Sequence, residues 1–398
     1  MRQPRGFERK GSEDLVCQLI KSLYGLKQSP LVWYKELHSF LVSLGFDRCR
    51  KEYCIYVRRI NGGLQIVVCY VDDLTLVSPD LEVLIEIKRA LAKKYKITDL
   101  GEISYMLKME IKRDRKNKLL TISQKKYIDD VLQRFNASDL PSSPTPQTPG
   151  LKLVPGRKLT EAEIKAQPYP YRQLVGCFQY LVRGTRPDIA NAVRELSKYL
   201  TCFNATHFKE ARRLLQYLKH TQTHGLVFDG TNGLTIEVFS DASFGNKEEN
   251  RKSITGYILR LANATVIGRS QAQKSVTLST TEAELMAASE ATKEAQWVRW
   301  LITELGFKVP AKIPLWCDNT ATIDTIKNAG NHPSTKHIET RNLFLREIYE
   351  KGYIDLSFCK SEDQIADIMT KALPRFQFEK LREQLGVAEV LPCNVPSL

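Results

Sequence analysis

The feature that most constrains this chain is a pair of adjacent aspartates between two apolar, β-branched segments. Tyr70-Val71-Asp72-Asp73 follows Gln65-Ile66-Val67-Val68-Cys69 and precedes Leu74-Thr75-Leu76-Val77. Such segments favour strands, so the pattern predicts a hairpin with both carboxylates at its tip. Adjacent carboxylates repel one another, and divalent metals relieve that repulsion in phosphoryl-transfer enzymes. An ordinary Asp-rich turn would explain the tetrapeptide if it stood alone.

Further motifs lie on both sides of this hairpin. Ser22-Leu23-Tyr24-Gly25-Leu26-Lys27-Gln28-Ser29-Pro30 precedes it, and Thr98-Asp99-Leu100-Gly101-Glu102 follows it. Later motifs are Tyr171-Arg172-Gln173-Leu174-Val175-Gly176, Thr185-Arg186-Pro187-Asp188-Ile189, Ser279-Thr280-Thr281-Glu282-Ala283-Glu284 and Ala366-Asp367-Ile368-Met369-Thr370-Lys371. With these blocks in this order and at this spacing, the chain resembles copia-type LTR retrotransposon Pol polyproteins. The resemblance covers nearly the whole chain.

Length, charge and cysteine content limit the classes of protein to which this chain can belong. The 398 residues suffice for two or three domains, and the formal net charge is +14. Residues 1–135 hold 26 Lys and Arg against 17 Asp and Glu, a basic excess that favours a polyanionic partner such as nucleic acid. The nine cysteines form no CxxC pair, which argues against a disulfide scaffold or zinc site and for a reducing compartment.

The sequence shows no targeting or membrane segment. The N-terminal residues have no apolar core typical of a signal peptide, and no apolar run approaches the length of a membrane span. We therefore expect a soluble, intracellular protein without a membrane partner. The resemblance implies a cytoplasmic, particle-associated or nuclear location.

The predicted fold class is α/β (α+β) with several domains. Residues 1–136 are expected to contain a helix from Leu31 to Leu44, the hairpin at 64–78 and a helix from Leu81 to Tyr95. The resemblance identifies this region as part of a reverse-transcriptase palm. Five prolines among Ser, Thr and Gly over 137–160 indicate a linker, and its predicted bounds are 137–168.

The remainder predicts two further regions and a C-terminal tail. Residues 169–228 are expected to be helical and, by the resemblance, to form a thumb-like or connection-like region; a bundle that only packs remains the alternative. Residues 229–376 predict three strands, a long helix, then alternating strands and helices, which indicates a mixed sheet with helices on its faces. This order matches the ribonuclease H fold. Residues 377–398 are expected to be a tail.

Four acids on four predicted elements of that region are candidate metal ligands. Cleavage of RNA by a ribonuclease H needs carboxylates that converge on divalent cations, Mg²⁺ or Mn²⁺. The candidates are Asp241, Glu284, Asp318 and Asp367. Taken singly, each is explained as well by solvation or helix capping, as for Asp318 before Asn319-Thr320.

The helix offers two acids, Glu282 and Glu284. Ser279 and Glu282 have the spacing of a capping box, which gives Glu282 a structural role. Glu284 instead shares a stripe of small residues with Ala288, Ala291 and Ala295, and such a stripe favours close packing on a sheet. Glu284 is therefore predicted to be the site residue.

For the palm, the resemblance implies that Asp72 and Asp73 bind metal. It also implies that Tyr24, Gly25, Lys27, Gln28 and Pro30 line the template and nucleotide. The resemblance also implies a third carboxylate on a strand earlier in the chain. The first Asp here, Asp14, lies in the polar segment Ser12-Glu13-Asp14 and not in a β-rich segment. We therefore expect the polymerase part to be incomplete and inactive alone.

The functional prediction is a reverse transcriptase and ribonuclease H fragment of a retrotransposon. It is expected to cleave the RNA of RNA–DNA hybrids and to bind these hybrids and single-stranded nucleic acid. The alternative is a degenerate or domesticated remnant that binds nucleic acid without catalysis. The sequence leaves the oligomeric state undetermined.

Overall fold

The structure is a computed structural model that describes residues 1–167, 170–245, 251–328 and 336–390, with the backbone alone at 336–339. The chain divides into two compact units. One comprises Met1–Leu100 with Trp300–Phe307, and the other comprises Gly101–Arg299 with Lys308–Leu398. Each unit is described by itself.

The first unit is an antiparallel sheet with two helices. Its elements are α1 (Ser29–Ser43), β1 (Asp47–Arg48), β2 (Ile55–Ile60), β3 (Gly63–Tyr70), β4 (Asp73–Val77) and α2 (Leu81–Lys94). The strands pair in the order β1-β2-β3-β4. The predicted hairpin and both predicted helices are thus present, with ends within two residues of those expected.

Local sequence explains where these helices begin and end. Pro30 lies in the first turn of α1, where its missing N–H costs nothing, and Gly45 follows the helix with φ +81°. Asp80 caps α2 by accepting a hydrogen bond from the Glu82 amide at 2.8 Å. Leu41 of α1 and Leu91 of α2 are buried in the core of this unit.

The elements that begin in the second unit are more numerous. They are β5 (Tyr105–Met106), β6 (Met109–Asp114), β7 (Leu119–Ser123), α3 (Lys125–Arg134), α4 (Glu161–Lys165), α5 (Tyr171–Gly184), α6 (Ala190–Ser197), α7 (Ala205–His220), β8 (His224–Asp229), β9 (Ile236–Ser243), β10 (Ile254–Leu261), β11 (Ala264–Ala272), α8 (Thr280–Glu304), β12 (Ile313–Cys317), α9 (Thr320–Lys327), α10 (Lys336–Glu350), β13 (Ile354–Phe358), α11 (Asp367–Thr370), α12 (Arg375–Gln384) and β14 (Val387–Glu389).

The mixed sheet predicted for this unit is present. Its strands lie in the order β11-β10-β9-β12-β13. The first three pair antiparallel, whereas β12 is parallel to both β9 and β13. The predicted fold class is confirmed. The third strand, predicted over 264–278, ends at Ala272.

A second, antiparallel sheet of this unit has the order β14-β8-β7-β6-β5. The sequence predicts none of its strands, and β8 begins within the region expected to be helical, 169–228. β5, β6 and β7 pair with their neighbours in the chain, whereas β8 joins segments that are far apart. Ile122 of β7 pairs with Leu226 of β8, and Val387 of β14 pairs with the same Leu226. The compact units divide at Leu100, whereas the predicted palm region extends to residue 136. The predicted domain boundaries stay predictions.

The Pro-rich segment packs against the helices that follow it. Leu140 and Leu153 are buried, Lys219 of α7 donates to the Leu140 carbonyl at 2.8 Å, and Arg213 donates to the Thr145 hydroxyl at 2.7 Å. The segment from 137 to 160 has no helix or strand, as predicted, but α4 lies within the predicted linker.

The C-terminal region differs most from the prediction. In place of one helix near 363–373, a short 3₁₀ turn at Ser361–Asp363 precedes the four-residue α11. Gln364 is extended between them, and its side-chain amide donates to the Ser240 carbonyl at 3.0 Å. The predicted tail contains most of α12 and all of β14, and Phe378 is buried. Among the described residues, no helix combines the length and apolarity needed to cross a membrane.

Candidate metal centre

Three aspartates on three elements of the second unit converge. Asp241 lies on β9, Asp318 directly follows β12, and Asp367 begins α11. One carboxylate oxygen from each lies within 4.8 Å of the other two. The parallel register of β9 and β12 pairs Phe239 with Trp316, so continuing it by two residues places Asp318 beside Asp241. The sheet topology therefore brings together residues far apart in sequence.

Glu284 adjoins this cluster from the first turns of α8. Its carboxylate lies within 4.8 Å of ligand atoms of Asp318 and Cys317. Its Oε1 accepts a hydrogen bond from the Ala242 amide at 3.0 Å, while Oε2 is buried with no hydrogen-bond partner.

The helix resolves the choice between the two glutamates geometrically. Ala288, Ala291 and Ala295 are buried on the same stripe as Glu284, whereas Glu282 lies at the start of the helix. There the Glu282 amide donates to Ser279 Oγ at 3.1 Å, and its carboxylate accepts from the Leu278 amide at 2.6 Å. Glu282 therefore caps the helix, and Glu284 faces the aspartates.

Burial and mutual repulsion perturb the carboxyl groups. Burial, reinforced by the charge of Asp241, raises the pKa of Glu284 to about 9 and that of Asp367 to about 7. Burial also raises the pKa of Asp241, although Lys371 and Thr370 act in the opposite direction. Without a cation, the cluster is thus electrostatically costly to ionise.

Two residues of the cluster are absent from the predicted site. Lys371 Nζ lies 2.7 Å from an Asp367 oxygen and 3.7 Å from an Asp241 oxygen. The Thr370 hydroxyl donates to the other oxygen of Asp241. Burial alone would lower the pKa of Lys371, but Asp241 and Asp367 raise it above its ordinary range. The i,i+4 spacing of Asp367 and Lys371 in the sequence could have predicted their ion pair.

Asp318 is held by a residue that is far away in sequence. Ser361 Oγ donates to Asp318 Oδ2 at 3.0 Å. Ser361 thus supplies a hydrogen bond at this edge of the cluster. Neither the serine nor its partner shows a local motif that would have predicted the contact.

The donor set fits a divalent cation. Mg²⁺ and Mn²⁺ prefer carboxylate oxygens, and the three aspartates with Glu284 supply only such atoms. The unpartnered Oε2 of Glu284 is a buried carboxyl oxygen that a cation would satisfy once the group is ionised. The residues that would hold metal are Asp241, Glu284, Asp318 and Asp367.

In the first unit, Asp72 and Asp73 lie at the tip of the β3–β4 hairpin and are exposed. Trp33 of α1 donates from Nε1 to the Val71 carbonyl at 3.0 Å, which fixes the helix beside this turn. Among the residues that the structure describes, no third His, Cys, Asp or Glu forms a ligand group with this pair.

The predicted nucleotide-binding residues precede α1 and are exposed. Tyr24 is 93% exposed, and Gly25 has φ +91°, a conformation that favours glycine. Lys27, Gln28 and Pro30 are also exposed at the start of the helix. The structure leaves these side chains accessible, and their predicted role stays a prediction.

Comparison with known proteins defines the family. The model of the reverse transcriptase (RNA-dependent DNA polymerase) family matches residues 1–149. The retrovirus-related Pol polyprotein from transposon TNT 1-94 of Nicotiana tabacum is 36% identical over 97% of this chain and 29% of that protein. The transposon Ty5-1 protein YCL074W of Saccharomyces cerevisiae is 32% identical over 74% of this chain and 94% of that protein. This chain belongs to the copia-type retrotransposon Pol family.

The predicted family is thus confirmed. Other copia-type Pol relatives are much longer than this chain: the match to the polyprotein from transposon RE1 of Arabidopsis thaliana, at 34% identity, covers 98% of this chain and 26% of that protein. The chain therefore spans between a quarter and a third of the length of the first relatives it matches.

Two solved structures were also similar to this copia-type chain. The N-terminal RNase H domain of Mycobacterium tuberculosis rv2228c matches 38% of the chain and 98% of its own, with 11% identity and a TM-score of 0.26. The prototype foamy virus protease–reverse transcriptase matches 92% of the chain and 62% of its own, with 12% identity and a TM-score of 0.22.

Proposed function

We propose that the second unit is a metal-dependent nuclease that cleaves the RNA strand of RNA–DNA hybrids. The observation that carries this proposal is the convergence of Asp241, Asp318 and Asp367, whose oxygens lie within 4.8 Å of one another. A fold that buries two of three clustered carboxylates gains stability when a cation occupies the cluster.

The residues of the carboxylate cluster would have distinct roles in cleavage. Asp241, Glu284, Asp318 and Asp367 would hold the cations, which when bound activate water and stabilise the leaving 3′-oxygen. Thr370 fixes the orientation of the Asp241 carboxylate through its hydrogen bond. Ser361 does the same for Asp318.

Lys371 balances the charge of the aspartates before metal binds. Its ammonium contacts both Asp241 and Asp367, and its side chain is 41% exposed. That exposure allows the ammonium to turn outward when cations take its place. A backbone phosphate of the hybrid would then be a suitable partner for it.

The test compares Asp241→Asn with wild type on a labelled RNA–DNA hybrid in Mg²⁺. Asparagine keeps the volume but removes the charge, so cleavage should be abolished while the fold is retained. Asp355→Asn is the matched control, since Asp355 is an exposed aspartate on β13 of the same sheet. Equal cleavage by wild type and Asp241→Asn would refute the assignment.

We propose that hybrid and single-stranded nucleic acid bind through phosphate contacts. The end of β6 and the turn to β7 carry exposed Arg113, Lys116 and Lys118. Counterion release requires affinity to fall steeply as salt rises, and replacing these three residues by alanine should reduce that slope. Hybrid binding without cleavage would favour the alternative of a non-catalytic nucleic-acid-binding protein.

We propose further that the polymerase part does not extend primers by itself. Asp72 and Asp73 are exposed, and in the described residues no third ligand joins them. Phosphoryl transfer depends almost wholly on positioning and charge stabilisation, so an incomplete ligand set should reduce the rate by many orders of magnitude. Primer extension that Asp72→Asn abolishes would contradict this.

A further inference from the structure

A second group of ligand atoms lies beside the aspartate cluster and shares Asp318 with it. The Glu284 carboxylate, the Cys317 thiol and the Asp318 carboxylate all lie within 4.8 Å of one another. This group differs chemically from the aspartates, because it combines one sulfur with two carboxylates. Mg²⁺ binds oxygen ligands almost exclusively, whereas a thiolate selects softer cations such as Zn²⁺.

One member of this group has a buried oxygen without a partner. Glu284 is 5% exposed, and its Oε2 has no hydrogen-bond partner, while Oε1 is held by the Ala242 amide. Leaving a buried carboxylate oxygen unsatisfied costs free energy. A cation bound between Glu284 and its neighbours would remove that cost.

The sulfur is fixed by the backbone around it. Cys317 ends β12 and is 1% exposed, and its Sγ accepts a hydrogen bond from the Asn319 amide at 3.4 Å. The Cys317 carbonyl accepts from the Cys359 amide at 3.1 Å. The thiol is thus held in place next to the two carboxylates.

We propose that Glu284, Cys317 and Asp318 form a site for a thiophilic divalent cation, Zn²⁺ or Cd²⁺, that excludes Mg²⁺ from Asp318. At neutral pH, binding replaces the S–H bond of Cys317 and the O–H bond of the Glu284 carboxyl by bonds to the metal, and releases both protons to solvent. Water completes a four-coordinate site. Ligand atoms around tetrahedral zinc lie about 3.3 to 3.8 Å apart, so small side-chain rotations close the group.

This site goes beyond the proposed nuclease and does not depend on it. Its consequence is competition, because a thiophilic cation and Mg²⁺ would both require Glu284 and Asp318. Asp241 and Asp367 belong only to the aspartate group, and Cys317 only to the sulfur group. Substitutions can therefore separate the two sites.

The experiment titrates the metal-free full chain with Cd²⁺ alone and follows the ultraviolet thiolate-to-cadmium absorption band and the binding heat. Wild type and Asp241→Asn should both bind a tight Cd²⁺ with this band. In Cys317→Ser the band should be lost, with affinity reduced at least about tenfold. Cys359→Ser is the matched control and should bind as wild type does, since Cys359 is a buried thiol that directly follows β13 and lies outside the ligand group.

Competition provides the second measurement. Added Mg²⁺ should weaken Cd²⁺ binding by wild type, because both cations need Asp318. If Cys317→Ser does not fold, Glu284→Gln tests the same site and should also weaken Cd²⁺ binding at least about tenfold. Unchanged Cd²⁺ affinity and band in a folded Cys317→Ser or Glu284→Gln would overturn the proposal. If the wild-type chain binds Cd²⁺ in this way but does not cleave the hybrid, the nuclease proposal is contradicted and the sulfur-containing site is supported.

Discussion

Gly256 and Asp241 are register partners on the adjacent antiparallel strands β10 and β9. A Cβ at Gly256 would lie 2.6 Å from Thr370 Cγ2 and 2.9 Å from Met369 Cβ. The missing side chain therefore allows α11 to lie directly against β10. This close approach brings Thr370 and Asp367 to Asp241, so the metal cluster depends on a glycine that contributes no ligand.

We expect Gly256→Val to be strongly destabilising and to weaken metal binding, because either α11 or the strand must move. Overpacking of this kind costs about 1 to 3 kcal/mol in the free energy of unfolding. Gly176→Ala is the control, since Gly176 is in α5 and its Cβ would meet no atom within 4 Å. That change should be neutral or stabilising by up to about 1 kcal/mol. Thermal unfolding and Mg²⁺ titration of both variants check the expectation.

The carboxyl cluster predicts how metal-free stability depends on pH. The pKa values of Glu284 and Asp367 are raised to about 9 and about 7, so the folded state binds more protons than the unfolded state. Their contribution is complete at low pH and is lost as pH rises through those values. In EDTA, the unfolding temperature should therefore fall as pH rises from about 4.5, the ordinary pKa of a glutamate, to about 9.

Metal should reverse this trend. Cations bind the ionised carboxylates, so the rise in unfolding temperature caused by Mg²⁺ should grow over the same pH range. Asp241→Asn removes one buried charge and should flatten the EDTA profile while reducing the response to Mg²⁺. If Mg²⁺ raises the unfolding temperature of Asp241→Asn as much as that of wild type, metal stabilises the protein at another place.

A buried ion pair gives a third prediction. Arg186 donates to both oxygens of Asp188, at 3.0 and 2.8 Å, and also to Thr221, while the Tyr217 hydroxyl donates to Asp188 at 2.6 Å. Burial would raise the pKa of Asp188, but Arg186 lowers it below its ordinary value. Asp188→Ala leaves a buried, unpaired guanidinium and should cost about 3 to 5 kcal/mol in the free energy of unfolding.

Denaturant unfolding measures the loss in free energy of unfolding of Asp188→Ala. Two further variants test whether that loss comes from the unpaired charge. Glu347→Ala breaks the exposed i,i+4 pair with Lys351 and should change stability by less than about 0.5 kcal/mol. Arg186→Met combined with Asp188→Leu removes both charges and should recover much of the loss. A cost for Asp188→Ala no larger than for Glu347→Ala would contradict the prediction.

The turn that carries Asp72 gives the fourth prediction. Val71 has φ +56°, a left-handed conformation that strains a β-branched residue. Val71→Gly should therefore stabilise the first unit by about 1 kcal/mol. Val77→Gly, in the same hairpin but without positive φ, should destabilise it instead. Thermal unfolding decides, and a lower unfolding temperature for Val71→Gly would show that the valine side chain is needed.

The sequence alone determined the elements and candidate ligands wherever the signal is local. Period and caps predicted α1, α2 and α8, and the buried alanine stripe predicted the side of α8 on which Glu284 lies. The order of predicted strands and helices over residues 229–376 predicted the mixed sheet. The family motifs supplied Asp241, Asp318 and Asp367, which the structure brings together.

Only the tertiary structure decided what surrounds those ligands. Pairing of β8 with β7 and β14 joins segments separated by about a hundred residues or more, and no local pattern encodes such a register. The contacts of Ser361 with Asp318 and of Cys317 with Glu284 arise in the same way, because strand order sets which loops meet. Local chemistry fixes a residue's own conformation, whereas its electrostatic environment depends on neighbours that the sheet topology supplies.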